Sequence, residues 1–267
     1  MKKTLIDRAE WKRIAEDLPD DLRHFADSAP VYDSSCSPEA RVYFIDKDGG
    51  YYLKSSASGT LQNEALMTDY FHSKCLGAEV LSYIRSDSRD LLLTAAVRGE
   101  DCTHKVYLDD PVRLSDTIAT RLRELHELDP TGCPVPERNR EYLALADKNY
   151  LTGNYDTSHF PDSFGYRSAE EAYAVFNAGR GEFKRDALLH GDYCLPNIML
   201  DNWKFSGFID LGNGGFGDRH IDIFWGAWTL WFNLKTDKYR ERFFDAYGRD
   251  KIDLEMIRTV AAAEVFG

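Results

Sequence analysis

No cluster of lysine or arginine stands out along the 267 residues, and acidic side chains outnumber basic ones by 45 to 33, a formal net charge of -12. That balance argues against nucleic acid or an anionic membrane as partner and suits a cationic small molecule better. An acidic surface is also an ordinary route to solubility, so charge by itself does not choose. Cysteine is sparse: Cys36, Cys75, Cys102, Cys133 and Cys194 are odd in number and form no Cys-x-x-Cys pair. Neither a disulfide framework nor a zinc site is signalled, and a reducing cytoplasm is the expected location. Long apolar runs are missing too, since the most apolar window, 221–232, is too short to span a bilayer and contains Asp222. The start of the chain meets charge before any apolar stretch of useful length and does not read as a signal peptide. No internal repeat or low-complexity tract is present. The length suffices for one large domain or for two lobes around a cleft.

The first third of the chain reads as strands with a helix among them. A short helix is expected over 7–18, ended by Pro19, from Trp11, Ile14, Ala15 and Leu18 at helical spacing. Arg41 to Ile45 and Tyr51 to Lys54 flank Asp48-Gly49-Gly50, a strong turn signal, and predict an antiparallel hairpin. Thr60 to Leu76 has a helical face of Leu66, Met67, Tyr70 and Phe71. Glu64 falls at the margin of that face, where a carboxylate needs a cation, and Lys54 is the nearest candidate in sequence. Two further strands are expected at 79–84 and 91–95. Thr94 to Gly99 then leaves the sheet with small residues, as a hinge would, and its backbone offers hydrogen bonds to an adenine edge.

Beyond the hinge the pattern turns helical. Asp110-Pro111 marks a helix start, with Leu114, Ile118, Leu122 and Leu125 as its buried stripe, and His126 reads as a surface or packing residue. Further helices are expected near 137–150, from the capping box Ser168-x-x-Glu171, from Asp218, and over 237–247 and 254–266. The segment 151–166 is a polar, aromatic loop of the kind that tends to be functional.

The most informative stretch is His190-Gly191-Asp192-Tyr193-Cys194-Leu195-Pro196-Asn197, followed by two short strands and by Asp210-Leu211-Gly212. A His-x-Asp-x-x-x-x-Asn loop followed by a strand ending in Asp-x-Gly is the spacing with which eukaryotic-type kinases transfer a phosphoryl group. A γ-phosphoryl group in transit carries spread negative charge. Asn197 and Asp210 supply the hard oxygens that Mg2+ prefers, while Asp192 remains a bare carboxylate for the acceptor hydroxyl. On the same template a lysine on a strand is held against the α- and β-phosphates by a helical glutamate, the arrangement expected of Lys54 and Glu64. Ser34 to Pro38, where a protein kinase carries its glycine-rich loop, contains no glycine, and its hydroxyls and N–H groups are a weak phosphate signal. Gly191 replaces the arginine of His-Arg-Asp, so activation-loop phosphorylation has no reader in the loop.

These features together resemble the aminoglycoside phosphotransferases, in particular the 3′-phosphotransferases, from about Ser37 to the end of the chain. The carriers are His-Gly-Asp-x-Cys-Leu-Pro-Asn-Ile-Met at 190–199 and Gly-Phe-Ile-Asp-Leu-Gly at 207–212. The resemblance implies an α+β, bilobal protein-kinase-like fold: residues 1–97 a nucleotide-binding lobe with a five-stranded antiparallel sheet and one helix, residues 98–267 a mostly helical catalytic and substrate-binding lobe. It implies phosphorylation of an aminoglycoside hydroxyl, the 3′ one, by ATP with Mg2+, GTP being left open, in a monomeric cytoplasmic protein that confers resistance. Asp192 is implied as the catalytic residue, Asn197 and Asp210 as metal ligands, and Lys54 as the phosphate-binding lysine held by Glu64. Ser37 matches the phosphate-loop serine, Tyr52 an aromatic that stacks on adenine, and Ala95 and Val97 backbone positions that bond to it. Asp156 and Asp162 match carboxylates of a substrate loop, and Glu264 and Phe266 match positions where the C-terminal end touches the antibiotic. Two residues depart from the pattern: Asn213 stands where the family usually has arginine, and Ala263 where an acidic residue is common. Both bear on substrate range. The rival readings are a kinase of another small molecule, of choline, macrolide or homoserine type, and a non-catalytic nucleotide-binding pseudokinase.

Overall fold

The computed structural model describes residues 3–26, 29–157 and 164–267. The chain forms two compact units, one of residues 1–99 with 199–212, the other of residues 100–198 with 213–267.

In the first unit, strand β1 (Thr4–Leu5) precedes helix α1 (Arg8–Glu16), which Asp7 caps by accepting the N–H groups of Ala9 at 2.6 Å and Glu10 at 3.3 Å. Helix α2 (Asp20–Ala26) follows, then β2 (Val31–Asp33), β3 (Ala40–Ile45), β4 (Tyr51–Ala57), helix α3 (Gln62–Ser73), β5 (Val80–Arg85) and β6 (Arg89–Ala95). All six strands join one antiparallel sheet in the order β1-β2-β3-β4-β6-β5, one strand more than the five expected. The two N-terminal strands are two and three residues long, too short for alternation to mark them in sequence. Ile45, Leu53, Leu91 and Leu93 pack on Trp11, Leu18, Leu22 and Val31. Because strand side chains alternate, and β3 and β4 pair with Val42 opposite Lys54 and Phe44 opposite Tyr52, Tyr52 and Lys54 point away from that core.

The second unit begins with β7 (Glu100–Asp101) and a one-turn helix α4 (Lys105–Leu108). Helix α5 (Pro111–His126) starts as its sequence predicts, with Asp110 accepting the Arg113 N–H at 3.2 Å and Pro111 at the first position. Helices α6 (Arg138–Thr152) and α7 (Ala169–Gly179) follow, the latter capped by Ser168 Oγ, which accepts the Glu171 N–H at 3.2 Å. Strand β8 (Ala187–Leu189) leads into the 190–197 loop; the next two strands, β9 (Ile198–Asp201) and β10 (Lys204–Phe208), form a hairpin turned by Asn202 and Trp203 at φ 50° and 68° that falls almost wholly in the first unit. Strand β11 (Gly215–Gly217) pairs antiparallel with β8. Helices α8 (His220–Leu234), α9 (Arg240–Tyr247) and α10 (Leu254–Glu264) complete the chain. Tyr142, Phe176, Leu189, Ile221, Val260 and Phe266 lie in this unit's core.

Residues 199–212 group with the N-terminal unit and not with 98–267. The Phe208 N–H donates to the Leu76 carbonyl at 2.7 Å, and Gly99, at φ 90°, passes so close to β9 that a Cβ there would sit 2.1 Å from the Leu200 oxygen. Among the described residues no helix is long and apolar enough to cross a membrane.

Candidate active site

Lys54 is the central residue of β4, and the first turn of α3 supplies Glu64. Lys54 Nζ donates to Glu64 Oε2 at 2.7 Å and to Asp210 Oδ1 at 3.0 Å. The lysine and glutamate side chains are 20% and 11% exposed, that of Asp210 52%, so Asp210 is the most open member of the cluster and Glu64 the most enclosed. Burial opposes the Lys54 charge, yet the carboxylates of Glu64 and Asp210 outweigh it and hold the ammonium above the ordinary lysine range. Burial pushes the Glu64 carboxyl up, with Lys54 pulling it back. Asp210 has a left-handed backbone at φ 59°, an uncommon state for an aspartate that re-aims its carboxylate after β10.

The loop after β8 carries the second set. Asn197 Nδ2 donates to the Asp192 carbonyl at 3.0 Å and to Asp192 Oδ2 at 2.9 Å, which orients that carboxylate and reserves the asparagine Oδ1 as an acceptor or ligand. The Asp192 N–H donates to His190 Nδ1 at 3.3 Å, and the Leu195 N–H to Thr229 Oγ1 at 3.1 Å. Fully buried Tyr193 anchors the middle of the loop by donating its hydroxyl to the Ile118 carbonyl at 2.7 Å. Gly191 has φ 84°, and a Cβ there would lie 1.8 Å from the Asn213 carbonyl oxygen. The absence of arginine at this position therefore has a steric cause: no side chain fits. Burial, with Asp192 nearby, pushes the Cys194 thiol well above its ordinary value, so it is a poor nucleophile.

The remaining expected residues divide. Tyr52 shares its sheet face with Phe44, ring centroids 5.1 Å apart, and the Lys3 ammonium lies 3.2 Å above the Phe44 ring. The Ala95 N–H is committed to the Glu79 carbonyl at 2.9 Å and the Ala96 N–H to Gly50 at 2.9 Å. Ser37 lines a cavity of about 380 Å³ with Asp33, Ser35, Cys36 and Arg41. Asp156 is exposed beyond α6, whereas Asp162 lies outside the described residues. Glu264 accepts from Tyr142 Oη at 2.8 Å and Trp225 Nε1 at 3.0 Å. Burial raises its carboxyl to about 7 against the pull of those two donors. Phe266 is fully buried among Tyr150, Tyr155 and Tyr173, with its carbonyl accepting Asn149 Nδ2 at 2.7 Å, which leaves its ring to packing.

Both departures from the family pattern have a local setting. Arg138 Nη2 donates to Asn213 Oδ1 at 3.0 Å, so a guanidinium from α6 stands against the position that lacks one. Ala263 is 1% exposed, and an acid there would be buried. Sequence reasoning missed Asp222, which accepts the N–H groups of His190 at 2.7 Å and Gly191 at 2.8 Å. Its signal was a lone carboxylate in an otherwise apolar helix, a group that must find donors when buried.

Comparison with known proteins agrees with this geometry. The family model described as "Phosphotransferase enzyme family" matches residues 37–258. A probable aminoglycoside 3′-phosphotransferase of Lactococcus lactis is 50% identical over 252 residues, which are 94% of this chain and 96% of that protein. The structure of an aminoglycoside phosphotransferase from Streptomyces rimosus superposes with a TM-score of 0.74 at 24% identity, covering 87% of this chain and 91% of that one. The same protein in complex with ADP and streptomycin gives 0.72 at 24%, covering 85% and 90%. Fold, loop spacing and sequence converge: the chain belongs to the phosphotransferase enzyme family, among relatives that are aminoglycoside 3′-phosphotransferases.

Proposed function

We propose that this protein transfers the γ-phosphoryl group of ATP to the 3′-hydroxyl of an aminoglycoside antibiotic and so confers resistance. The observation that carries the reading is the Asp192–Asn197 pair: a partly exposed carboxylate oriented by an asparagine whose own oxygen remains available. Asp192 accepts the hydroxyl proton as the substrate oxygen bonds to the γ-phosphorus, and the bond to the bridging oxygen breaks with its electrons passing to ADP. Lys54, held charged by Glu64, contacts the α- and β-phosphates. Tyr52 stacks on adenine. Since the Ala95 N–H is already taken, its carbonyl and the Val97 N–H are the groups assigned to the base edge, and Ser37 to the phosphates.

Asn197 Oδ1 and the half-exposed Asp210 carboxylate are oxygen donors of the kind Mg2+ takes, one or two from protein and the rest from phosphate and water. Among the described residues no group of three or more His, Cys, Asp or Glu side chains is placed to hold a metal unaided. When bound, the ion would supply positive charge to the phosphate oxygens, with Asn197 and Asp210 as its protein ligands.

Glu264, with Asp156 and Asp162 of the 151–166 segment, is assigned to the ammonium groups of the sugar, and Phe266 to seating the turn that carries Glu264. The reading includes a monomer in the reducing cytoplasm, where the five cysteines, none of them in a disulfide, would stay reduced. A panel of aminoglycosides, choline, a macrolide and homoserine, with ATP, GTP and Mg2+ varied and ADP release as readout, tests it. Turnover of kanamycin or neomycin with ATP is expected; turnover confined to choline, the macrolide or homoserine would replace the substrate class and keep the chemistry. Sedimentation of the active enzyme tests the monomer.

A further inference from the structure

Helix α3 begins without a cap of its own. Leu61 stands at the N-cap position with no side-chain hydrogen bond to the first turn, and leucine is among the poorest residues for that place. The acceptor comes instead from β6. Asp90, fully buried, accepts the Gly59 N–H on Oδ1 at 2.9 Å and the Leu61 N–H on Oδ2 at 3.0 Å. The Tyr83 hydroxyl of β5 donates to the same Oδ2 at 3.0 Å. Burial opposes the Asp90 charge, but the two N–H groups and the phenol outweigh it and hold the carboxyl below the ordinary aspartate range. Asp90, Tyr83 and Gly59 have no part in the chemistry proposed above.

The sheet decides where this carboxylate stands. Strands β4 and β6 pair with Lys54 opposite Leu92 and Ser56 opposite Asp90, so Lys54, Leu92 and Asp90 share one face. On that face α3 begins, with Leu61 and Ala65 packed against Leu92, Val80 and Tyr83. Leu61 therefore packs where a helix would normally place its cap, and the capping falls to Asp90. One strand thus fixes the start of α3 twice, through the Leu92 side chain and through the Asp90 carboxylate. Glu64 comes three residues after the clamped Leu61 N–H, with its Oε2 2.7 Å from Lys54 Nζ.

We infer that Asp90 is a positioning residue for nucleotide binding: by clamping the turn between β4 and α3 it holds Glu64 against Lys54 and so keeps the ammonium in place for the phosphates of ATP. The inference rests on the role proposed for Lys54. The turn needs such a hold because Gly59 sits at φ 84°, and a glycine has neighbouring conformations that would swing the start of the helix. If Glu64 drew away, Asp210 would be left to steer the ammonium, and the lysine would follow the more open of its two carboxylates.

The test reads ATP affinity by titration calorimetry on full chains of wild type, Asp90→Asn, Glu64→Ala, the Asp90→Asn/Glu64→Ala double mutant and Lys54→Ala. Adenosine serves as the comparison without phosphates, and circular dichroism follows folding. Asparagine at 90 keeps the shape but turns an N–H donor toward one of the two backbone N–H groups. Asp90→Asn should bind ATP about three- to thirtyfold more weakly, the range of coupling between neighbouring polar groups, with adenosine within about twofold of wild type. In the Glu64→Ala background the same substitution should change ATP affinity by less than about twofold, because its effect runs through that carboxylate. Wild-type ATP affinity in folded Asp90→Asn, equal losses for ATP and adenosine, or an undiminished loss in the Glu64→Ala background would overturn the inference. Should Asp90→Asn not fold, Tyr83→Phe removes only the phenol from Oδ2. A smaller loss confined to ATP, about two- to fivefold, is expected there, and wild-type ATP affinity in folded Tyr83→Phe would overturn the inference. Lys54→Ala with wild-type ATP affinity would end the role proposed for Lys54, and this inference with it; a weakened Lys54→Ala beside an unaffected Asp90→Asn ends only this one.

Discussion

The Nζ of Lys54 stands 2.7 Å from Oε2 of Glu64, on a strand and a helix separated by a short turn. Neither group is well solvated, so each depends on the other. Lys54→Ala should chiefly weaken ATP, raising its KM, and Glu64→Ala should do the same by releasing the lysine. The double mutant is expected to lose less than the two singles combined, with a coupling of about 0.5–3 kcal/mol. Additive losses in a double-mutant cycle would mean that the pair does not act as a unit.

Asp192→Asn removes the proton acceptor and leaves the Asn197 contact to the Asp192 main-chain carbonyl in place. The kcat should fall by about two to four orders of magnitude, the range of a general base. Nucleotide affinity, measured by titration calorimetry, should remain near wild type, since the role proposed for this carboxylate is toward the acceptor. Wild-type turnover would remove Asp192 from the chemistry.

Glu264 titrates near 7, raised from a value near 4.5 by burial. A raised carboxyl pKa means that the folded protein holds a proton the unfolded chain releases, so stability falls as pH rises from about 4.5 through 7. Glu264→Gln should abolish that part of the slope, with its melting temperature gaining on wild type between pH 5 and pH 8. Binding runs the other way. An ammonium needs the ionised form, so the wild-type KM for kanamycin should decrease as pH rises through 7, while in Glu264→Gln it should be higher and lack that component. Parallel pH profiles for the two proteins would take Glu264 out of the substrate site.

Gly191→Ala places a methyl group 1.8 Å from the Asn213 carbonyl in a left-handed backbone. The conformation alone costs an alanine roughly 1–2 kcal/mol, and the clash forces the loop to move. Thermal unfolding should register the first, and kcat should fall well beyond what the stability loss explains. An alanine variant with native kcat would show that the loop has more room than its backbone contacts imply.

Much of this was legible in the sequence because the signals were local. Asp110-Pro111, Ser168 with Glu171 and the Asp48-Gly49-Gly50 turn each specify their element through neighbours a few residues away. The 190–212 stretch was legible because its chemistry demands fixed residue types at fixed spacing. His126 and Asp222 were not: they are 96 residues apart, and the reason for each is the other. Glu264 came through resemblance, but its holders Tyr142 and Trp225 come from two other helices and left no local trace. Phe266 shows the reverse case. A position taken from relatives as a ligand contact turns out to have its ring inside an aromatic cluster, a fact that only packing reveals.

The membership of residues 199–212 in the N-terminal unit has a consequence for how such a gene can be divided or recombined. Each unit is built from two separate stretches of chain, and the polypeptide passes from one unit to the other at 99/100, 198/199 and 212/213. A fragment ending at Gly99 would contain Lys54 and Glu64 but not Asp210, and its lysine would lose one of the two carboxylates that keep it charged. A chimera made with one crossover would likewise combine the lysine of one parent with the aspartate of another. Shuffling with relatives should therefore yield working hybrids mainly when the short coding segment for 199–212 travels with codons 1–99, so that inheritance of the Lys54, Glu64 and Asp210 cluster requires a paired exchange.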